Sequence, residues 1–135
     1  MLVHKAEIEA IAVIDNIVDG KGSVNYNCIP GVIYTNPEVA WVGQTEDELI
    51  ENKIPYNKGV VKIKKNFRAS ITHEKDGIVK VLSCPETHKF LGIHIICQNA
   101  GEMIAAGAAA YHNDSTVFSI SKCSHAHPTL SETFR

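Results

Sequence analysis

Two runs of β-branched and aromatic residues, IVKVL at 78–82 and FLGIHIIC at 90–97, flank the short polar stretch Cys84-Pro85-Glu86-Thr87-His88. Such side chains suit a pleated, half-buried surface, and so short a connection makes the two runs pair as neighbours. The chain is thereby committed to a sheet. Every other segment must extend that sheet or cover it.

Extended chain is predicted at Val32–Tyr34 and Val39–Val42, bounded by the turn signals Pro30-Gly31 and Asn36-Pro37. In Lys58–Lys64, Val60, Lys62 and Lys64 alternate with Val61 and Ile63, the pattern of a strand with one wet face. Helices frame these strands. Ala6, Ala10, Val13, Ile14, Ile17 and Val18 recur at helical spacing until Gly20 and Gly22, which predicts a helix over 3–18 with a broad apolar face in need of a surface. Thr45-Glu46-Asp47-Glu48 reads as a capping box opening a short helix to Asn52. Ala100–His112 is a small-residue helix suited to close packing on a sheet, and Ser115 is placed to cap a last helix through Val117, Ile120 and Ser121. Strands in the middle and helices at both ends predict an α+β fold, a mostly antiparallel sheet flanked by helices.

A length of 135 residues suits one domain, and a net charge of −2 gives no electrostatic reason to expect a nucleic acid or a membrane as partner. The basic cluster Lys62, Lys64, Lys65 and Arg68 is short and lacks interleaved stacking aromatics. Cys28, Cys84, Cys97 and Cys123 share no close spacing, which leaves out a CxxC redox pair and a zinc knuckle and points to free, buried or half-buried thiols. No apolar run reaches membrane-spanning length and no GxGxxG or GxxxxGK string occurs, so no dinucleotide or phosphate cradle is expected in these residues.

Chemistry concentrates near the end, in His125-Ala126-His127-Pro128-Thr129-Leu130-Ser131-Glu132. An unperturbed imidazole titrates near pH ~6.5, and a carboxylate on one ring nitrogen fixes its tautomer and aims the other. Three readings stand open. Thr129 through Glu132 is itself a capping box; His127 with Glu132 is an acid–base pair; His125 with His127 is two-thirds of a weak metal site. No metal is expected.

LVHKAEIE, IPGVIYTNPEVAWVG, DGIVKVL, LGIHII, AGEMI and HAHPTLSE, in this order, resemble the C-terminal third of dihydrolipoamide dehydrogenase, the flavin- and NAD-dependent component of the 2-oxoacid dehydrogenase complexes. The resemblance implies that residues 21–135 are an interface, or dimerisation, domain with its C-terminal tail cut short, and that residues 1–20 are the closing helix of an FAD domain. It implies that His127 is the proton acceptor and Glu132 its partner, serving the active site of the other subunit of a homodimer. It further implies a cis His127-Pro128 bond and contact of Met1, Leu2, Val3 and His4 with FAD; Val3 stands where that family has alanine. FAD and NAD would belong to the parent enzyme, lipoyl domains would be its partners, and this chain alone would be inactive and hold no cofactor. The location implied is the mitochondrial matrix in a eukaryote or the cytoplasm in a bacterium. A glutathione-reductase-like flavoenzyme and a non-catalytic self-association module are the rival readings.

Overall fold

The computed structural model describes residues 2–135. Five strands, β1 (Gly31–Ile33), β2 (Glu38–Gly43), β3 (Asn57–Lys62), β4 (Ile78–Ser83) and β5 (Phe90–Cys97), form one sheet in the order β1-β2-β5-β4-β3. Every pairing is antiparallel, so the α+β expectation holds with a wholly antiparallel sheet. β4 and β5 are neighbours, with a register shift at Leu82 and Ser83.

Alternation along β5 explains which face is dry. Ile93, Ile95 and Cys97 are fully buried, and their cross-strand partners include Val42, Ala40 and Val79, which are buried too. Helix α4 (Ala100–His112) covers that face with Ala100, Met103, Ile104, Gly107 and Ala110. Its small residues set the spacing: a methyl group on Gly107 would come within 3.0 Å of Ile93 Cδ1. Val117 and Ile120 of α5 (Val117–Ser121), and Leu130 and Phe134 of a terminal 3-10 turn (Leu130–Phe134), pack against the same cluster. The end of the chain therefore rides on the core.

Helix α2 (Glu46–Glu51) carries the expected capping box, with Thr45 Oγ1 accepting from the Glu48 N–H at 3.2 Å and Glu48 Oε2 accepting from the Thr45 N–H at 2.7 Å. Two expectations need correction. β3 is exposed along all six of its residues, not on one face, because it is an edge strand paired only with β4 and lies beyond the reach of α4. Ile63, whose place in the alternation suggested a longer strand, is buried from a 3-10 turn (Ile63–Lys65) instead. The cap of α5 is Thr116, not Ser115: Thr116 Oγ1 accepts from the Ser119 N–H at 3.1 Å, and Ser119 Oγ accepts from the Thr116 N–H at 3.0 Å.

Helix α1 (Val3–Asp19) buries only Ala12 of its own residues, and Ile17 and Val18 are 74% and 78% exposed. The broad apolar face read from the sequence has no cover within the described residues. Among them, no helix is long and apolar enough to cross a membrane.

The capping assignment has a direct test. Thr116→Ala should lower the free energy of unfolding by about 1 kcal/mol, whereas Ser115→Ala should stay within about 0.5 kcal/mol of the parent in a urea titration.

Candidate active site

After α5 the chain runs irregularly to His127, passes the cis His127-Pro128 bond and enters the terminal turn. That turn brings Glu132 back onto the histidine: His127 Nδ1 lies 3.0 Å from Oε1 and 3.2 Å from Oε2. Glu132 Oε2 also accepts the Thr129 N–H at 2.9 Å. The Thr129 hydroxyl donates to the Ala126 carbonyl at 2.7 Å, closing the loop around the proline. The tie to the Thr129 N–H and the contact with His127 thus coexist on one carboxylate, which both holds the turn and holds the ring.

The protonation pattern follows. The Thr129 N–H first, and His127 second, hold the Glu132 carboxyl below its ordinary range. An ionised carboxylate can only accept, so Nδ1 carries a hydrogen and, in the neutral ring, Nε2 presents the lone pair. Nε2 makes no hydrogen bond among the described residues, and the His127 side chain is 60% exposed against 19% for Glu132. The arrangement can take a proton at Nε2 and stabilise the resulting imidazolium through a half-buried anion.

Two residues that the sequence reading passed over complete the setting. The Phe67 ring lies 5.1 Å from the imidazole, tilted by 33°. Asn66, 8% exposed, caps α3 (Phe67–Ile71) by accepting the Ala69 N–H at 3.2 Å. Its Nδ2 donates to the Thr129 carbonyl and to Thr133 Oγ1, each at 3.0 Å. An asparagine ahead of a short helical stretch is a readable cap signal. Its partners more than sixty residues away are not.

The other candidates lie apart. His125 Nε2 turns to the Ile120 carbonyl at 3.3 Å and does not share a ligand set with His127; among the described residues no three His, Cys, Asp or Glu side chains converge on a metal position. Leu2, Val3 and His4 line a separate cavity of about 460 Å³ with Pro30, Val32 and Tyr34, and His4 Nε2 is 2.8 Å from the Pro30 carbonyl. Met1 falls outside the described residues. The four cysteines are free; Cys97 is buried, which pushes its thiol up to about 12, whereas Cys123 is exposed, unlike the half-buried thiol expected from the sequence. His94 offers the contrast to His127. Both of its ring nitrogens are sealed without a partner, and burial, then the Lys80 charge, depress its pKa against the opposing pull of Glu48 and Glu46.

Residues 29–135 match the family described as pyridine nucleotide-disulphide oxidoreductase, dimerisation domain. The whole chain is 52% identical to a dihydrolipoamide dehydrogenase of Chaetomium thermophilum and 44% identical to the mitochondrial dihydrolipoyl dehydrogenase of Caenorhabditis elegans, covering 27% of each of those proteins. It therefore spans about a quarter of the length of the curated relatives it matches. The fold superposes with a TM-score of 0.90 on a HOCl-induced flavoprotein disulfide reductase from Escherichia coli in its Cu(II) complex, at 20% identity, covering 99% of this chain and 31% of that one.

His94 sets an acid limit on stability. Its folded pKa lies below its unfolded value, so the unfolded chain binds the proton more readily. Its contribution is complete above about pH 6.5 and is lost as pH falls through the folded value, with a slope of at most about 1.4 kcal/mol per pH unit. His94→Leu should flatten the dependence of unfolding free energy on pH in that window, as read by urea titrations at successive pH values.

Proposed function

This chain belongs to the family of pyridine nucleotide-disulphide oxidoreductase dimerisation domains, and from that premise we propose that it is the interface domain of a dihydrolipoamide dehydrogenase. Its task in that enzyme is to carry His127 and Glu132 to the active site of the partner subunit in a homodimer. The single observation supporting this most is the pairing itself: Nδ1 is held by Glu132 while Nε2 stays open on an exposed ring. The identity of the chain to dihydrolipoamide dehydrogenases along its full length supports the same substrate.

Nε2 accepts the proton of a dihydrolipoamide thiol, leaving a thiolate and an imidazolium. The thiolate attacks a disulfide contributed by another part of the assembly, and Glu132 offsets the positive charge on His127 until the proton leaves. FAD and NAD, when bound in the parent, supply the onward electron transfer. This chain offers an edge to the flavin rather than a cradle. Leu2, Val3 and His4, with Met1, would meet it at the start of α1, whose N-cap Leu2 makes no side-chain cap and whose first turn has no acidic residue. Uncapped N–H groups there suit an electron-rich ring edge. Residues 1–20 then form the end of the FAD domain, and the uncovered apolar face of α1 packs on it; residues 21–135 form the interface domain. Lipoyl domains of 2-oxoacid dehydrogenase complexes are the partners of the whole enzyme, in the mitochondrial matrix of a eukaryote or the cytoplasm of a bacterium.

In the intact protein His127→Gln should lower dihydrolipoamide oxidation by about 10²- to 10⁴-fold, and Glu132→Gln should lower it by less, because the ring remains but loses its anion. Near-normal turnover of the His127→Gln protein in a stopped-flow assay with dihydrolipoamide and NAD⁺ would remove this assignment.

A further inference from the structure

We infer that Asn66 is the positioning residue of the acid–base pair, holding the His127 ring in the Nδ1–H form by bracketing the segment that carries it. The inference rests on the proposed role of His127. Its own basis is a count of ties. Among the described residues, the side-chain amide of Asn66 makes the hydrogen bonds that join residues 126–135 to the rest of the domain; every other hydrogen bond of that stretch is internal to it.

The two shorter bonds fall at useful places, with a third running to the Leu130 carbonyl at 3.4 Å. The Thr129 carbonyl is two residues beyond His127, and Thr133 Oγ1 is one residue beyond Glu132. One amide group therefore pins the loop on the far side of each member of the pair. Thr129 is also the residue whose N–H holds Glu132 Oε2, so its position sets that of the carboxylate. The adjacent Phe67 lies against the imidazole, which gives the dipeptide Asn66-Phe67 control of both the backbone and the ring. Apolar packing of Leu130 and Phe134 holds the turn on the core but is non-directional and leaves its rotation free. A buried, doubly donating amide is directional. Asn66 Oδ1 is committed to the Ala69 N–H, which fixes the orientation of the amide plane and thus the direction in which Nδ2 donates.

The consequence is chemical. Without Glu132 at Nδ1, an imidazole in water favours the Nε2–H form, whose outward nitrogen is a donor and not a base. Loosening of the loop would separate Glu132 from Nδ1 and spoil the tautomer. Asn66 acts through His127 and touches no substrate.

The test uses the intact protein labelled with ¹⁵N at histidine and reads the ring nitrogens of His127. Asn66→Ser retains a cap for α3 but cannot reach Thr129 or Thr133. Thr133→Val removes one acceptor of Asn66 together with the Thr133 hydroxyl's bond to the Leu130 carbonyl, leaves α3 untouched, and serves where the first variant folds poorly. The wild-type ring should be Nδ1–H, and both variants should shift it toward Nε2–H, with kcat lowered by up to about 10²-fold at unchanged KM. A purely structural Asn66 would reduce the folded fraction and leave the tautomer of the folded protein alone. A wild-type ring found as Nε2–H would overturn the pairing beneath the proposed function, whatever Asn66 does. A ring that stays Nδ1–H in both variants would overturn the role of Asn66 alone.

Discussion

The close approach of α4 to β5 is the constraint on which the rest depends. Gly107 lets the helix settle against Ile93, and Leu130 and Phe134 pack against the buried cluster to which Ile93, Ile95, Ile104 and Met103 belong. Complete burial of side chains of that size stabilises by roughly 1.5–3 kcal/mol each, and these two are only partly buried. Individual hydrogen bonds contribute about 1 kcal/mol. Apolar packing and polar ties thus share the hold on the terminal turn, and only the polar ties are directional. A segment held by apolar packing and by a directional amide can be well placed without being buried.

That division explains the unequal exposure of the pair. A fully buried Glu132 would need its charge compensated against a desolvation cost of several kcal/mol. At 19% exposure the carboxylate has the Thr129 N–H on one oxygen and the imidazole across both, which keeps it ionised. His127 stays open at 60% side-chain exposure, as the proposed proton transfer requires. His94 marks the opposite solution: its ring nitrogens are sealed, the neutral form is favoured, and it is of no use as a proton carrier. The same residue type serves two ends because its surroundings differ.

What could be read in the sequence was whatever depends on near neighbours. The hairpin of β4 and β5, the capping box at Thr45 and the His127–Glu132 contact each join residues a few positions apart or declare themselves by period. β3 misled because alternation tells which side chains share a face, not whether any layer covers that face. Ser115 and Thr116 are both competent caps, and the choice between them falls to which residue the Lys89–Thr116 bridge holds in extended conformation. Asn66 could be suspected as a helix cap, but its bonds to Thr129 and Thr133 are created by the fold and leave no trace in local pattern.

The uncovered side of α1 poses a packing problem of its own. An isolated helix of 17 residues is marginal in water, and here it is tied down by few contacts: Ala12 beneath, the Lys5–Glu9–Tyr26 cluster at its side and the bond from His4 to the Pro30 carbonyl. These fasten its N-terminal half. Ile11, Val13, Ile14, Ile17 and Val18, all more than half exposed, run on beyond them with nothing opposite. Scattered apolar side chains on a surface need no explanation, but a continuous helical face of them does. Gly22 brings the following chain close against the Ala12 carbonyl, on the side of the helix away from that face. Its fixed orientation presents that face outward, as it would be presented to another domain.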